Sequence, residues 1–156
     1  MSIPITSLRS ALIAALLVGC STTTPETLLR ETQVPAAVLT AFCKQFPGAR
    51  VLKYALEKKG TREFYELETD GKGAPQSLIY TPAGELAETE IPIPFAQLPA
   101  AVQEGVRRTL PTRNIDLVEM AQNKGKTFYE IHFKEDGRAW EAKFDSTGNL
   151  LEKKHE

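Results

Sequence analysis

Val34-Pro35-Ala36-Ala37-Val38 recurs as Leu98-Pro99-Ala100-Ala101-Val102, 64 residues further along the chain. The same offset pairs Phe46-Pro47 with Leu110-Pro111, and Phe64-Tyr65-Glu66-Leu67 with Phe128-Tyr129-Glu130-Ile131. It also pairs Gly73 with Gly137, Tyr80 with Phe144, and Gly84-Glu85-Leu86 with Gly148-Asn149-Leu150. One register held over so many positions is a duplication, and a repeat settles the architecture before any single element is assigned. The two units run over about 34–90 and 98–156. They are joined by residues 91–97, whose Pro92 and Pro94 predict an extended connector.

Each unit opens with a helix. Pro35 and Pro99 suit the first helical position, and Val34, Val38, Ala41/Phe42 and Phe46 match Leu98, Val102, Gly105/Val106 and Leu110 as one apolar stripe. Pro47 and Pro111 then end the helices. Four strand-like stretches follow, around 50–58, 62–70, 74–81 and 86–90, echoed around 114–122, 126–134, 138–145 and 149–154. Lys59-Gly60, Asp70-Gly71, Asp136-Gly137 and Thr147-Gly148-Asn149 are turn signals between them.

Alternation assigns the faces. Tyr54, Leu56, Tyr65, Leu67, Leu78 and Tyr80 fall on one side in the first unit, with Val118, Met120, Tyr129, Ile131, Phe133, Trp140, Ala142 and Phe144 in the second. These are the predicted core under the helices. The other side carries Phe64, Glu66, Glu68, Phe128, Glu130, His132, Glu141 and Lys143, which fits an antiparallel sheet with one wet face. One helix on four strands makes a thin core for so short a unit. The expected fold is therefore α+β, with two tandem α-β-β-β-β repeats joined into one continuous antiparallel sheet and both helices on the same face.

Outward from the repeats, residues 1–19 read as a lipoprotein signal peptide. Arg9 precedes an apolar run from Ala11 to Val18, shorter than the roughly 20 residues a spanning helix needs. The run ends Leu17-Val18-Gly19-Cys20, which looks like a bacterial lipobox with Cys20 as the lipidated residue. Ser21 after the cysteine implies sorting to the outer membrane, with the domain facing the periplasm. Residues 20–33 are expected to be the lipidated cysteine and a flexible tether, since the stretch Ser21–Glu26 has no apolar period. With Cys20 modified only Cys43 remains, so no intramolecular disulfide is available to the fold.

Composition narrows the function. The 156 residues hold 42% hydrophobic and 25% charged side chains, as a globular domain does. Nineteen basic residues against 20 acidic ones leave no excess for phosphate neutralisation, so no nucleic-acid partner is expected. Ser/His/Asp or Cys/His hydrolysis needs an imidazole held beside a nucleophile. There are two histidines, His132 on the polar sheet face and His155 next to the C-terminus, and Cys43 lies on a helix with no sequence reason to approach either. No catalytic residues are assigned. No paired His or Cys ligands mark a metal site, and a grouping of His132, Glu66 and Glu130 rests on strand adjacency alone.

The linked motifs Pro-Ala-Ala-Val, Phe-Pro-Gly-Ala-Arg-Val, Phe-Tyr-Glu and the Gly-Glu-Leu or Gly-Asn-Leu strand start resemble the PepSY-like family, whose members adopt a fold similar to the beta-lactamase inhibitory protein. The resemblance covers residues 34–154 and implies a secreted tandem domain, no cofactor, and binding or inhibition of another envelope protein. It carries no site residue across. The candidate partner-binding residues are therefore read from the sheet face: Phe64, Glu66, Phe128, Glu130 and His132. Phe64 and Phe128 are either interface anchors or rings packed on a neighbouring Lys or Arg stem or on a cross-strand partner. The expected function is a non-catalytic, lipid-anchored envelope protein that binds a protein or peptide, with the membrane engaged through the anchor only. The alternative is an assembly lipoprotein docked permanently in an outer-membrane complex.

Overall fold

The computed structural model describes residues 24–110 and 114–155, so Cys20, the lipobox and Pro111 lie outside the described residues. In chain order the elements are β1 (Thr24–Leu29), α1 (Ala36–Gln45), β2 (Val51–Lys59), β3 (Arg62–Thr69), β4 (Ser77–Tyr80), β5 (Leu86–Pro92), α2 (Ala100–Thr109), β6 (Ile115–Asn123), β7 (Lys126–Glu135), β8 (Arg138–Asp145) and β9 (Leu150–His155). The nine strands form one antiparallel sheet in sequence order. Both helices begin directly after their prolines, Pro35 and Pro99 standing as N-caps rather than first helical residues.

Two hydrophobic cores lie under the helices, one per repeat. Val34, Val38 and Phe42 meet Leu67, Leu78 and Tyr80 in the first. Leu98, Val102, Val106 and Leu110 meet Val118, Tyr129, Ile131, Phe133, Ala142 and Phe144 in the second. The inward set follows the predicted period-2 alternation, except that Leu56 does not join the first core. Each helix is clamped by a turn from its own repeat. A Cβ on Gly84 would stand 2.5 Å from the Ala37 carbonyl oxygen, and one on Gly148 would stand 2.1 Å from that of Ala101. Both glycines have left-handed backbone, with φ of 82° and 84°. Gly105 meets Gly148 from the helix side at the position of Ala41, so the second repeat packs its turn closer still.

Two expectations for the connecting segments are corrected. Residues 24–29, expected within a flexible tether, form β1: Thr27, Leu28 and Leu29 pair with Leu56, Ala55 and Tyr54, and Leu29 packs on the first core. Residues 91–97, expected to be an extended connector, divide between the end of β5 and a 3-10 turn at Phe95–Gln97. Ile91 and Pro92 pair with Met120 and Glu119, so β5 is the seam that fuses the repeats. The two corrections have one cause. The 3-10 turn Glu31–Gln33 precedes α1 as Phe95–Gln97 precedes α2, and Leu29 fills in the first core the place that Ile93 fills in the second. The repeating unit therefore begins with a strand ahead of the helix, and β1 is to β2 what β5 is to β6.

Candidate functional site

The sheet face away from the helices is concave rather than flat. The sheet curls so that residues of β1 and β9, its two edges, line one cavity of about 510 Å³ together with residues from the strands between. The expectation of a bare wet face is corrected accordingly: Ala55, Ser77, Ile79, Glu88, Glu90, Glu119, Ala121 and Glu130 on this face are buried. A right-handed twist accumulated over nine strands, with helices packed on one side only, bends the other side inward.

Eight glutamates line the cavity against four lysines. Most charges on this face, those lining the cavity and those beside it, are held in pairs. Lys143 Nζ on β8 bridges Glu88 Oε1 of β5 at 2.8 Å and Glu130 Oε1 of β7 at 2.7 Å. Lys53 on β2 bridges Glu26 of β1, at 3.0 Å, and Glu68 of β3. Lys154 meets Glu141 at 2.9 Å, and His132 Nε2 lies 3.0 Å from Glu119 Oε2. Buried ion pairs add little net stability, because desolvation offsets their attraction, but removing one partner strands a charge.

Proton affinities record the crowding. Burial, then the neighbouring Glu130, Glu119, Glu66 and Glu88, push Glu90 up to about 9. Burial, with Glu26 and Glu57 nearby, pushes Glu66 up to about 8 although the Ser77 hydroxyl donates to it. Glu130 rises to about 7, chiefly through burial and the Glu141 charge, against the pull of Lys143. Glu88 is the exception. Burial works against its ionisation, yet hydrogen bonds from Lys143 and Asn123 hold it below the usual carboxylate range. The Lys143 ammonium is correspondingly raised despite its burial, by Glu130 and Glu88.

Of the five residues expected to bind a partner, Glu66, Glu130 and His132 line the cavity. Phe64 and Phe128 share the face but not the cavity, and each packs under a cation. Arg62 and Lys59 lie 5.6 and 5.8 Å from the Phe64 centroid, and Lys143 lies 5.1 Å from that of Phe128. Both rings therefore lie under basic side chains on this face. The metal grouping of His132, Glu66 and Glu130 is rearranged. Glu130 and His132 converge with Glu119, all within 4.8 Å, whereas Glu66 converges with Glu26 and Glu68. Cys43 is exposed on α1, across the sheet from His132.

Glu119, Glu88, Glu90 and Lys53 were not read as site residues from sequence. The signal for Glu119 was present, since it stands between the core residues Val118 and Met120 and so faces the other way. Nothing in the alternation of β5 announces that Glu88 and Glu90 are buried.

A family model described as "Putative beta-lactamase-inhibitor-like, PepSY-like" matches residues 22–87 and again residues 74–152. Each match starts ahead of its helix, with β1 inside the first and β5 inside the second. Among solved structures, a DUF2874-family protein from Bacteroides uniformis superposes with a TM-score of 0.59 at 15% identity, over 78% of this chain and 88% of its own. A protein of Bacteroides eggerthii described as "putative periplasmic" gives 0.58 at 16% identity over the same shares. A BLIP-like protein from Bacteroides fragilis gives 0.53 at 21% identity, over 78% of this chain and 86% of its own. At such identities the likeness establishes the fold. No curated protein matches the chain.

Proposed function

This chain belongs to the PepSY-like, beta-lactamase-inhibitor-like family, and from that premise we propose that it is a non-catalytic, lipid-anchored module of the cell envelope that binds a protein or peptide on the concave face of its sheet. The observation that carries the reading is the cavity itself, which draws its walls from both repeats and concentrates eight glutamates in about 510 Å³. A face that buries this much charge without a hydrophobic reason is built for recognition, since an apolar lining would be the more stable choice. The non-catalytic part rests on placement: Cys43 and His132 lie on opposite sides of the sheet. The envelope assignment rests on the Leu17-Val18-Gly19-Cys20 motif and on the periplasmic description of the Bacteroides eggerthii protein.

The test is positional. A photo-crosslinking amino acid placed at Leu117, which lines the cavity and is 38% exposed, captures a partner in the native envelope. The same probe at Thr40 on α1 does not. Equal capture from both positions overturns the concave-face reading. Cys20→Ser moves the chain out of the membrane fraction; an unchanged distribution removes the anchor. Permanent docking in an assembly is favoured by one observation, the single-sided pairing of β1 and β9, each of which leaves an edge available to a further strand. A resident partner at one-to-one stoichiometry distinguishes it.

A further inference from the structure

Three pairs of glutamates on the concave face stand on neighbouring or next-neighbouring strands. Two of the pairs hold an ammonium of the chain's own: Lys53 between Glu26 and Glu68, and Lys143 between Glu88 and Glu130. The third pair is Glu66 on β3 and Glu90 on β5, either side of β4. Among the described residues no lysine or arginine reaches either carboxyl at ion-pair distance. Glu66 is met by the Ser77 hydroxyl and by Glu26. Glu90 is only 8% exposed, lines the cavity, and receives no hydrogen bond or ion pair among the described residues. A buried carboxyl left without a partner is costly, and proteins place one where a ligand completes it.

We propose that the cavity takes up an organic cation carrying at least two ammonium or guanidinium groups, one of which seats between Glu66 and Glu90 as Lys143 seats between Glu88 and Glu130. The inference rests on the concave-face reading and names the chemistry of its partner. Ionised on uptake of the ligand, Glu66 and Glu90 add two negative charges to the cavity, which two positive groups balance. A bare metal ion fits less well. In each trio of ligand atoms converging within 4.8 Å, at least one member is already engaged, by Lys53, by Lys143, or by the His132–Glu119 contact. An ion would have to expel an ammonium, whereas an alkyl cation extends through the space that remains. Because Glu66 and Glu90 hold protons at neutral pH, uptake of the cation releases them.

Titration calorimetry with two probes, spermidine and a tri-lysine peptide, tests this at pH 7 in two buffers of different ionisation heat. The expected result is one-to-one binding of at least one probe with release of about one to two protons. The Glu66→Gln/Glu90→Gln double variant weakens it at least tenfold and abolishes the release. Preference for spermidine identifies a free polyamine as the source, and preference for the peptide identifies a basic segment of a partner. Binding of neither probe, equal binding by the variant, or one-to-one binding of Zn²⁺ or Ca²⁺ that neither probe displaces overturns the proposal. If the double variant does not fold, Glu90→Gln alone and the proton count of the parent chain decide. Retention of the Leu117 crosslink in a variant that has lost nothing else, with both cations silent, sinks the cation site and leaves the partner reading intact. Loss of that crosslink in the parent chain sinks the partner reading instead.

Discussion

Glu90 couples stability to pH more sharply than any surface carboxyl. Its folded affinity for the proton is raised to about 9, so between the ordinary carboxylate range and that value the folded chain keeps a proton that the unfolded chain sheds. The stabilisation is full below about pH 4.5 and is lost as pH rises through the folded value; Glu66, raised to about 8, acts in the same direction. Melting temperature should therefore fall between pH 6 and pH 9, each group contributing at most about 1.4 kcal/mol per pH unit. Glu66→Gln/Glu90→Gln should flatten the decline, raising the melting temperature at pH 9 relative to the parent. Parallel curves would show that neither carboxyl is buried as described. Which acids are stranded was not legible in sequence, because glutamates at positions 66, 88, 90, 119 and 130 look alike until the curl of the sheet decides which ones a lysine can reach.

At the scale of elements, the clamp between turn and helix is the sharpest point of the packing. Gly148→Ala drives a Cβ to 2.1 Å from the Ala101 carbonyl oxygen and sets an L side chain at φ 84°. Crowding and backbone strain each cost about 1–3 kcal/mol, so the melting temperature should drop by roughly 5 °C or more. Gly60→Ala is the control. Its φ is 67° but a Cβ there meets nothing within 4 Å, so only the backbone term applies. Equal losses would mean that α2 does not rest on this turn. Most strands were readable within a few residues, because the apolar alternation of β2, β3, β7 and β8 is long and their turns carry glycine. β1 was missed because its Thr24-Pro25-Glu26 start reads as spacer; only the correspondence of Leu29 with Ile93 across the repeat betrays it.

On the scale of the whole molecule, two separate cores share one uninterrupted sheet, and β5, paired with β4 on one side and β6 on the other, joins the halves. The halves should unfold together. Trp140, the single tryptophan, packs on the second core alone, whereas backbone circular dichroism reports on both. Denaturant midpoints from the two signals should coincide, and a gap between them would mean that the seam does not transmit cooperativity. Doubling, strand order and helix side follow from the internal repeat. Curvature does not, since it arises from twist summed over nine strands. The ordering of β1 has a last consequence. With Cys20 acylated as proposed, only the few residues from 20 to 24 separate the lipid from the sheet margin. A chain that short spans at most about 14 Å. The body would then ride close against the bilayer on a short leash, with limited freedom to swivel.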